Sequence, residues 1–217
     1  MEKAVVILSG GMDSTTLLYQ INKTHDTYAI SFDYNQKHKK ELEAAKATCE
    51  QLGIKHKVLD VSLLNEVAPS ALTRDDIDVP EGHYEQDNMK QTVVPNRNMV
   101  FVSLATSYAI SIGAKQLFYG AHAGDHAIYP DCRKEFVDEL RNAVKLCDWS
   151  EVELSAPFVD IDKGDIAIKG KELEVDYSLT WTCYKGQDKP CGKCGACVER
   201  AEAFEKAGMK DPLSKEE

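Results

Sequence analysis

The segment that most constrains the fold lies near the N-terminus, where the apolar run Lys3–Leu8 breaks off into Ser9-Gly10-Gly11-Met12-Asp13-Ser14 and a helical pattern follows over Ser14–Lys23. A short apolar run of this kind reads as a buried first strand, and Asp13 or Ser14 suits the N-cap of the helix. Glycines between strand and helix let the backbone approach a phosphate. The helix N-terminus then supplies free N–H groups and the positive end of its dipole. The hydroxyls of Ser9 and Ser14 add further donors. The plainer alternative is a glycine turn that merely joins strand to helix. The segment lacks the Gly-Lys-Ser/Thr ending of a Walker A loop and the spacing of a dinucleotide fingerprint, and no lysine is placed to follow a γ-phosphate.

The rest of the chain repeats the rhythm. Thr27–Asp33 is rich in β-formers, Glu41–Leu52 is helical up to Gly53, and His56–Asp60 offers a third strand. Residues Pro69–Val94 then carry prolines and acids with little periodicity, and read as a long excursion of the kind that forms lids or binding loops. Order resumes with a helix over Asn98–Ile112, a strand at Gln116–Tyr119, a loop through Pro130 and a helix over Lys134–Leu146. A strand at Val152–Leu154 and a helix around Lys163–Leu173 follow, then a cysteine-rich segment and a last helix. Strand–helix alternation predicts an α/β fold with a doubly wound parallel sheet. The length of 217 residues suits a single domain over 1–217, with 183–197 as a metal-binding loop and 198–207 as a terminal helix.

With 26 basic and 36 acidic residues the formal charge is -10, which argues against broad nucleic-acid binding and suits a soluble cytoplasmic protein. No apolar run approaches the ~20 residues of a membrane span. The start is too short an apolar stretch for a secretory signal. A reducing cytoplasm also suits the seven cysteines, because four of them fall in one short stretch.

Those four are Cys183, Cys191, Cys194 and Cys197. Tetrahedral zinc takes four thiolates, and Pro190, Gly192 and Gly195 permit the tight turns between them. A closed four-thiolate site is structural, and an apparent binding free energy of roughly 10–16 kcal/mol can order a loop without a core of its own. An iron–sulfur cluster is the main rival, and a redox Cys-x-x-Cys pair the next. Cys49 and Cys147 read as core thiols within helices.

Between Gly120 and Arg133 lies a loop just beyond a predicted strand end, where open parallel sheets bind ligands. Asp131 is suited to accept from a guanidine-like edge, and Arg133 to pair with a carboxylate or phosphate. The same pentapeptide, Tyr129-Pro130-Asp131-Cys132-Arg133, also fits a helix-capping turn. The segment Val94–Asn98 has the same ambiguity. His122 and His126 share i,i+4 spacing, but Gly120, Gly124 and Pro130 break any helix there, so no second metal is assigned.

The loop Ser9–Ser14 resembles the SGGxDS signature of the PP-loop ATP pyrophosphatases, adenine nucleotide alpha hydrolase-like enzymes that cleave ATP between the α- and β-phosphates. Adding Phe32–His38 with Glu41, Val94–Asn98, Tyr129–Arg133 and Thr180–Arg200, nearly the whole chain resembles the 7-cyano-7-deazaguanine synthase family of queuosine biosynthesis. Departures are small: Met12 stands where the family usually has Gln, Asn35 where Gly is common, and Pro80–Met89 has no match.

The resemblance implies a ligase that converts 7-carboxy-7-deazaguanine and ammonia to 7-cyano-7-deazaguanine through adenylated intermediates. It places ATP with Mg2+ on Leu8, Ser9, Gly10, Gly11, Met12, Asp13, Ser14, Thr15, Thr16, Leu17 and Leu18, with Ser31–Tyr34 near the adenosine. Catalytic roles fall to Asp13, Ser14 and Lys163, the last neutralising transferring phosphate. Asp131 and Arg133 are expected to read the deazaguanine, and Arg97 and Arg200 its carboxylate. The resemblance also implies a homodimer, and Val198, Ala201 and Phe204 form a helical stripe that must bury against something. Rival functions are a PP-loop tRNA-modifying enzyme, which needs an RNA surface this acidic chain lacks, and a zinc-stapled ATP-binding module without turnover.

Overall fold

The computed structural model describes residues 1–37, 39–185 and 188–214. His38 of the Phe32–His38 motif, and Gly186 and Gln187 within the cysteine loop, lie outside the described residues. Five parallel strands form one sheet in the order β3-β2-β1-β4-β5: β1 Lys3–Ile7, β2 Asp26–Asp33, β3 Lys55–Asp60, β4 Gln116–Phe118 and β5 Glu153–Ser155. The helices are α1 Met12–Asn22, α2 Lys40–Leu52, α3 Leu64–Val67, α4 Arg97–Ile112, α5 Lys134–Lys145, α6 Lys163–Glu172 and α7 Gly195–Lys206.

Strand periodicity sorts the core into two layers. Val5, Tyr28, Ile30 and Phe32 face α4 and α5, meeting Phe101, Val102, Val137 and Leu140. Ala4, Val6, Leu8 and Ala29 face the other way, onto Leu17, Leu18 and Ile21 of α1, Ala45 and Cys49 of α2, and Ile166 of α6. Helices on both faces of a parallel sheet are the doubly wound arrangement expected from the sequence. Strand order reverses between β1 and its neighbours β2 and β4, and the crevice beyond the strand ends at such a point is where ligands bind.

Several boundaries differ from the sequence reading. The first helix is capped by Gly11 without a side-chain bond, so Asp13 and Ser14 lie inside its first turn. Helix α7 begins at Gly195 rather than Val198, because Cys194 provides the N-cap inside the cysteine loop itself. The inward face of α7 is Cys197, Arg200, Ala203, Phe204 and Ala207, whereas Ala201 is exposed. Phe204 packs on Met12, Ala167 and Tyr177 of its own chain, so the helix supplies no motive for a second copy. Cys49 is buried as expected, but Cys147 is exposed beyond the end of α5. The excursion is packed rather than open: Ala71, Leu72, Val79 and Met89 are buried. Its Glu81 bridges to Cys194. Among the described residues no helix is long and apolar enough to cross a membrane.

Candidate active site

The loop after β1 is preformed by its own hydroxyls. Ser9 N donates to Ser14 Oγ at 3.1 Å, the two hydroxyls meet at 2.9 Å, and Gly11 N donates to Ser9 Oγ at 3.1 Å. Gly10 has φ +93°, and a Cβ there would fall 1.9 Å from the carbonyl oxygen of Glu41 on α2. Glycine is therefore required both for the left-handed turn and for the close approach of α2. From the far end of the chain, Trp181 N donates to the Gly10 carbonyl at 2.9 Å and clasps the loop.

Beyond the loop lies a cavity of about 200 Å3, walled by Ile7 and Leu8, by Phe32 and Tyr34 at the end of β2, and by Tyr119–His122 after β4. Ser9, Gly11, Asp13 and Ser14 form its floor, and Lys163, Arg97 and Thr182 reach in from α6, α4 and the C-terminal segment. Ser31 is turned away, donating to Leu8 O and contacting His56. Thr15, Thr16, Leu17 and Leu18 are buried in α1 beneath the loop, where they support it rather than line the cavity.

Lys163 is the first residue of α6 and is buried, not a solvated surface lysine. Its ammonium bonds to Glu199 and lies 3.4 Å from Asp13 Oδ2. Burial opposes that charge, but Asp13, Glu199 and Asp125 outweigh burial and hold its pKa above the ordinary lysine value. His122, 1% exposed, turns Nε2 toward Asp125 at 3.4 Å and Asp13 at 3.7 Å. Three carboxylates thus surround one lysine. Asp13 Oδ1 is buried with no partner among the described residues, which fits a hard cation of the kind that accompanies nucleotide phosphates.

The four expected arginine and aspartate readers separate sharply. Arg97 lines the cavity and donates to Tyr34 OH at 3.3 Å, and although burial opposes its charge, Asp131 is among the charges that raise its pKa. Arg200 does not reach the cavity. Its guanidinium spans Asp211 at 2.8 and 2.9 Å, Thr180 at 2.8 Å, Thr182 at 3.1 Å and the Tyr177 carbonyl at 3.3 Å, which uses all five N–H groups. Asp131 is outside the cavity lining, accepting from Asn98 N at 3.0 Å where α4 has unbonded N–H groups. Arg133 is exposed and donates to the His126 carbonyl at 2.8 Å. The capping-turn reading of that pentapeptide is the one the geometry matches, and Tyr129 and Cys132 are its cavity-lining members.

The four cysteines of the tail converge, each offering a sulfur within 4.8 Å of the others, with Cys191 and Cys197 3.9 Å apart. One tetrahedral ion with metal–sulfur bonds of ~2.3 Å requires sulfurs ~3.8 Å apart. Backbone N–H groups of Cys191, Lys193 and Cys194 point at the sulfurs, at 3.3–3.4 Å, as thiolates require. The donor set therefore fits a single metal ion. Glu199, missed in the sequence, enters the cavity region because α7 springs directly from this knot; only its position two residues beyond Cys197 hinted at it.

A parallel five-stranded sheet with this loop at its switch point defines a PP-loop nucleotide-handling fold. Solved structures agree: NMN synthetase from Francisella tularensis superposes with TM-score 0.55 at 15% identity, covering 96% of this chain and 78% of that one. The U34-tRNA thiolase NcsA from Methanococcus maripaludis gives 0.52 at 17%, covering 94% and 63%. At such identities the likeness concerns the fold alone. The sequence matches the family described as queuosine biosynthesis protein QueC over residues 3–208, and the chain belongs to that family. The 7-cyano-7-deazaguanine synthase of Caldicellulosiruptor saccharolyticus is 63% identical over 99% of this chain and 96% of its own. That of Methanoregula boonei is also 63% identical, over 99% of both.

Proposed function

We propose that this chain is an ATP-dependent carbon–nitrogen ligase converting 7-carboxy-7-deazaguanine and ammonia to 7-cyano-7-deazaguanine. The observation that carries the reading is the full-length identity of 63% to synthases of that name. The cavity supports it: a phosphate-ready loop and Lys163 share one chamber with the guanidinium of Arg97. Neither tRNA modification nor a silent ATP module has an observation in its favour.

In this reading Ser9, Gly11 and Ser14 hold the phosphates that leave as pyrophosphate, and Lys163 offsets charge on the transferring group. Asp13 would hold Mg2+, which when bound neutralises phosphate charge. Phe32 and Tyr34 wall the adenosine, and Arg97 takes the substrate carboxylate in place of Arg200. An adenylated carboxylate turns its oxygen into a leaving group, so ammonia yields the amide; a second adenylation of the amide oxygen yields the nitrile. Zinc on Cys183, Cys191, Cys194 and Cys197, a cytoplasmic home and a homodimer complete the proposal. Light scattering at about twice 24.2 kDa supports the dimer, and a mass near one chain throughout rejects it.

Mass spectrometry after incubation with ATP, ammonium and 7-carboxy-7-deazaguanine is the deciding experiment. The nitrile, AMP and pyrophosphate are expected. ADP as nucleotide product, or no nitrile, overturns the assignment.

A further inference from the structure

Beside the main cavity lies a second, much smaller one of about 20 Å3, which shares Asp125, Tyr129, Tyr184 and Ala196 with it. That volume holds one molecule the size of water. Its lining combines the carboxylates of Glu199 and Asp125 with the apolar side chains of Met89, Ile128 and Ala196. Gly124 is part of this lining, and a Cβ there would come 2.8 Å from Glu199 Oε1 and 3.1 Å from His122 Nδ1, so both side chains press close to this glycine. His122 Nδ1 is buried and has no hydrogen-bond partner among the described residues. Nε2 of the same ring faces the carboxylates of Asp13 and Asp125.

We propose that this small cavity is the ammonium site of the ligase, lined by Asp125 and Glu199, with His122 Nδ1 next to its Gly124 wall. The inference rests on the ligase reading above and names where its nitrogen co-substrate waits. Size admits ammonium and excludes any nucleotide. Charge favours it as well, since Asp13, Asp125 and Glu199 surround Lys163 with more negative charge than one lysine offsets. With Lys163 already bound to Glu199, a singly charged guest meets less repulsion there than a divalent one. The apolar wall of Met89 and Ile128 keeps bulk water from competing for the acyl adenylate. In the step itself ammonium loses one proton to solvent, and its freed lone pair forms a bond to the activated carboxyl carbon. The carbon–oxygen bond to AMP breaks, its electrons leaving with the AMP oxygen, and the new amide nitrogen sheds its surplus proton to solvent.

The second half-reaction, amide to nitrile, consumes no ammonia, and this provides the test. Gly124→Ala fills the junction without backbone strain, because Gly124 is not among the positive-φ residues. Steady-state kinetics with acid substrate should show its ammonium KM raised about tenfold or more, with the ATP KM changed less than about twofold. Its turnover of the preformed amide, with ATP and no ammonium, should fall far less than its turnover of the acid. Asp125→Asn, which adds no volume, should show the same split. An unchanged ammonium KM in both variants overturns the proposal. So does equal loss with acid and amide, or a raised magnesium requirement at constant ammonium KM, which assigns the cluster to a divalent cation. Wild-type protein that makes no nitrile from either substrate instead removes the ligase reading beneath it.

Discussion

The phosphate loop and the cysteine knot meet at one cavity, yet they come from opposite kinds of architecture. The loop is six contiguous residues, Ser9–Ser14, anchored by a central strand buried on both faces, and its internal bonds close within five positions of one another. The knot has a small apolar cluster built around Val79, Trp181 and its own cysteines, is tied together by a sulfur cage and one buried arginine network, and meets the rest of the chain through the Glu81–Cys194 bridge and through α7 packed on Met12 and Ala167. Even so, this second unit delivers Glu199, Thr182 and Tyr184 to the site and clasps Gly10 through Trp181. One wall of the site thus inherits the stability of the sheet, while the other depends on metal and charge.

The comparison is sharpest where the loop is disabled without touching its frame. Asp13→Ala removes a side chain that is only partly buried and does not cap the helix, so circular dichroism and unfolding temperature should stay near wild type while AMP release falls about a thousandfold. AMP release within tenfold of wild type would take Asp13 out of the phosphate machinery. Cys194→Ser attacks the other wall. It should abolish the metal stoichiometry of about one per chain and lower turnover about a hundredfold or more, because α7 loses its N-cap environment and Glu199 its placement. Far-ultraviolet circular dichroism should nevertheless keep the α/β signature of the sheet. Cys49→Ser should retain the metal. A Cys194→Ser protein with bound metal and full turnover would show the knot to be independent of the site.

The same contrast explains what the sequence reveals. The parallel sheet and the loop are legible because strand–helix alternation and the glycine pattern are local properties, and Lys3–Ser14 states them without interruption. The cysteine spacing is legible for the same reason. The arginines are not: Arg97 and Arg200 look alike as isolated cations, and only the fold shows that Asp211, Thr180 and Thr182 saturate one while the other faces the cavity. Asp131 resembled a base reader, but its carboxylate belongs to the start of α4, 33 positions away in sequence. Of the expected stripe on α7, Phe204 lies on the inward face, while Val198 and Ala201 stand one residue beside Cys197 and Arg200, which a helix beginning inside the knot buries.

Exchanging the two arginines tests that separation. Arg97→Ala should raise the KM for the acid substrate about 10- to 100-fold, the cost of a lost charge-assisted pair, with little change in unfolding temperature. Arg200→Ala should do the reverse. It strands Asp211 and empties a buried network, a loss of about 3–5 kcal/mol that lowers the unfolding temperature by roughly 10 °C, while the KM stays within threefold below that temperature. A raised KM in Arg200→Ala at full stability would return the residue to the substrate.

Arg133→Ala is the smallest expected change and the most direct check on the boundary of the cavity. The side chain is exposed, its one hydrogen bond goes to the His126 carbonyl, and it lies just before α5, outside the walls described above. An exposed arginine bonded to a single carbonyl holds a turn loosely, because water replaces that bond when the side chain is gone. The substitution should therefore change kcat/KM for the acid by less than about threefold and leave the KM for ATP unaltered. The sequence alone favours a larger effect, since Arg133 sits beyond a strand end with a charge suited to phosphate or carboxylate. A loss of about thirtyfold or more, confined to the acid substrate, would mean that the pentapeptide turns inward when substrate binds and that Arg97 does not read the carboxylate by itself.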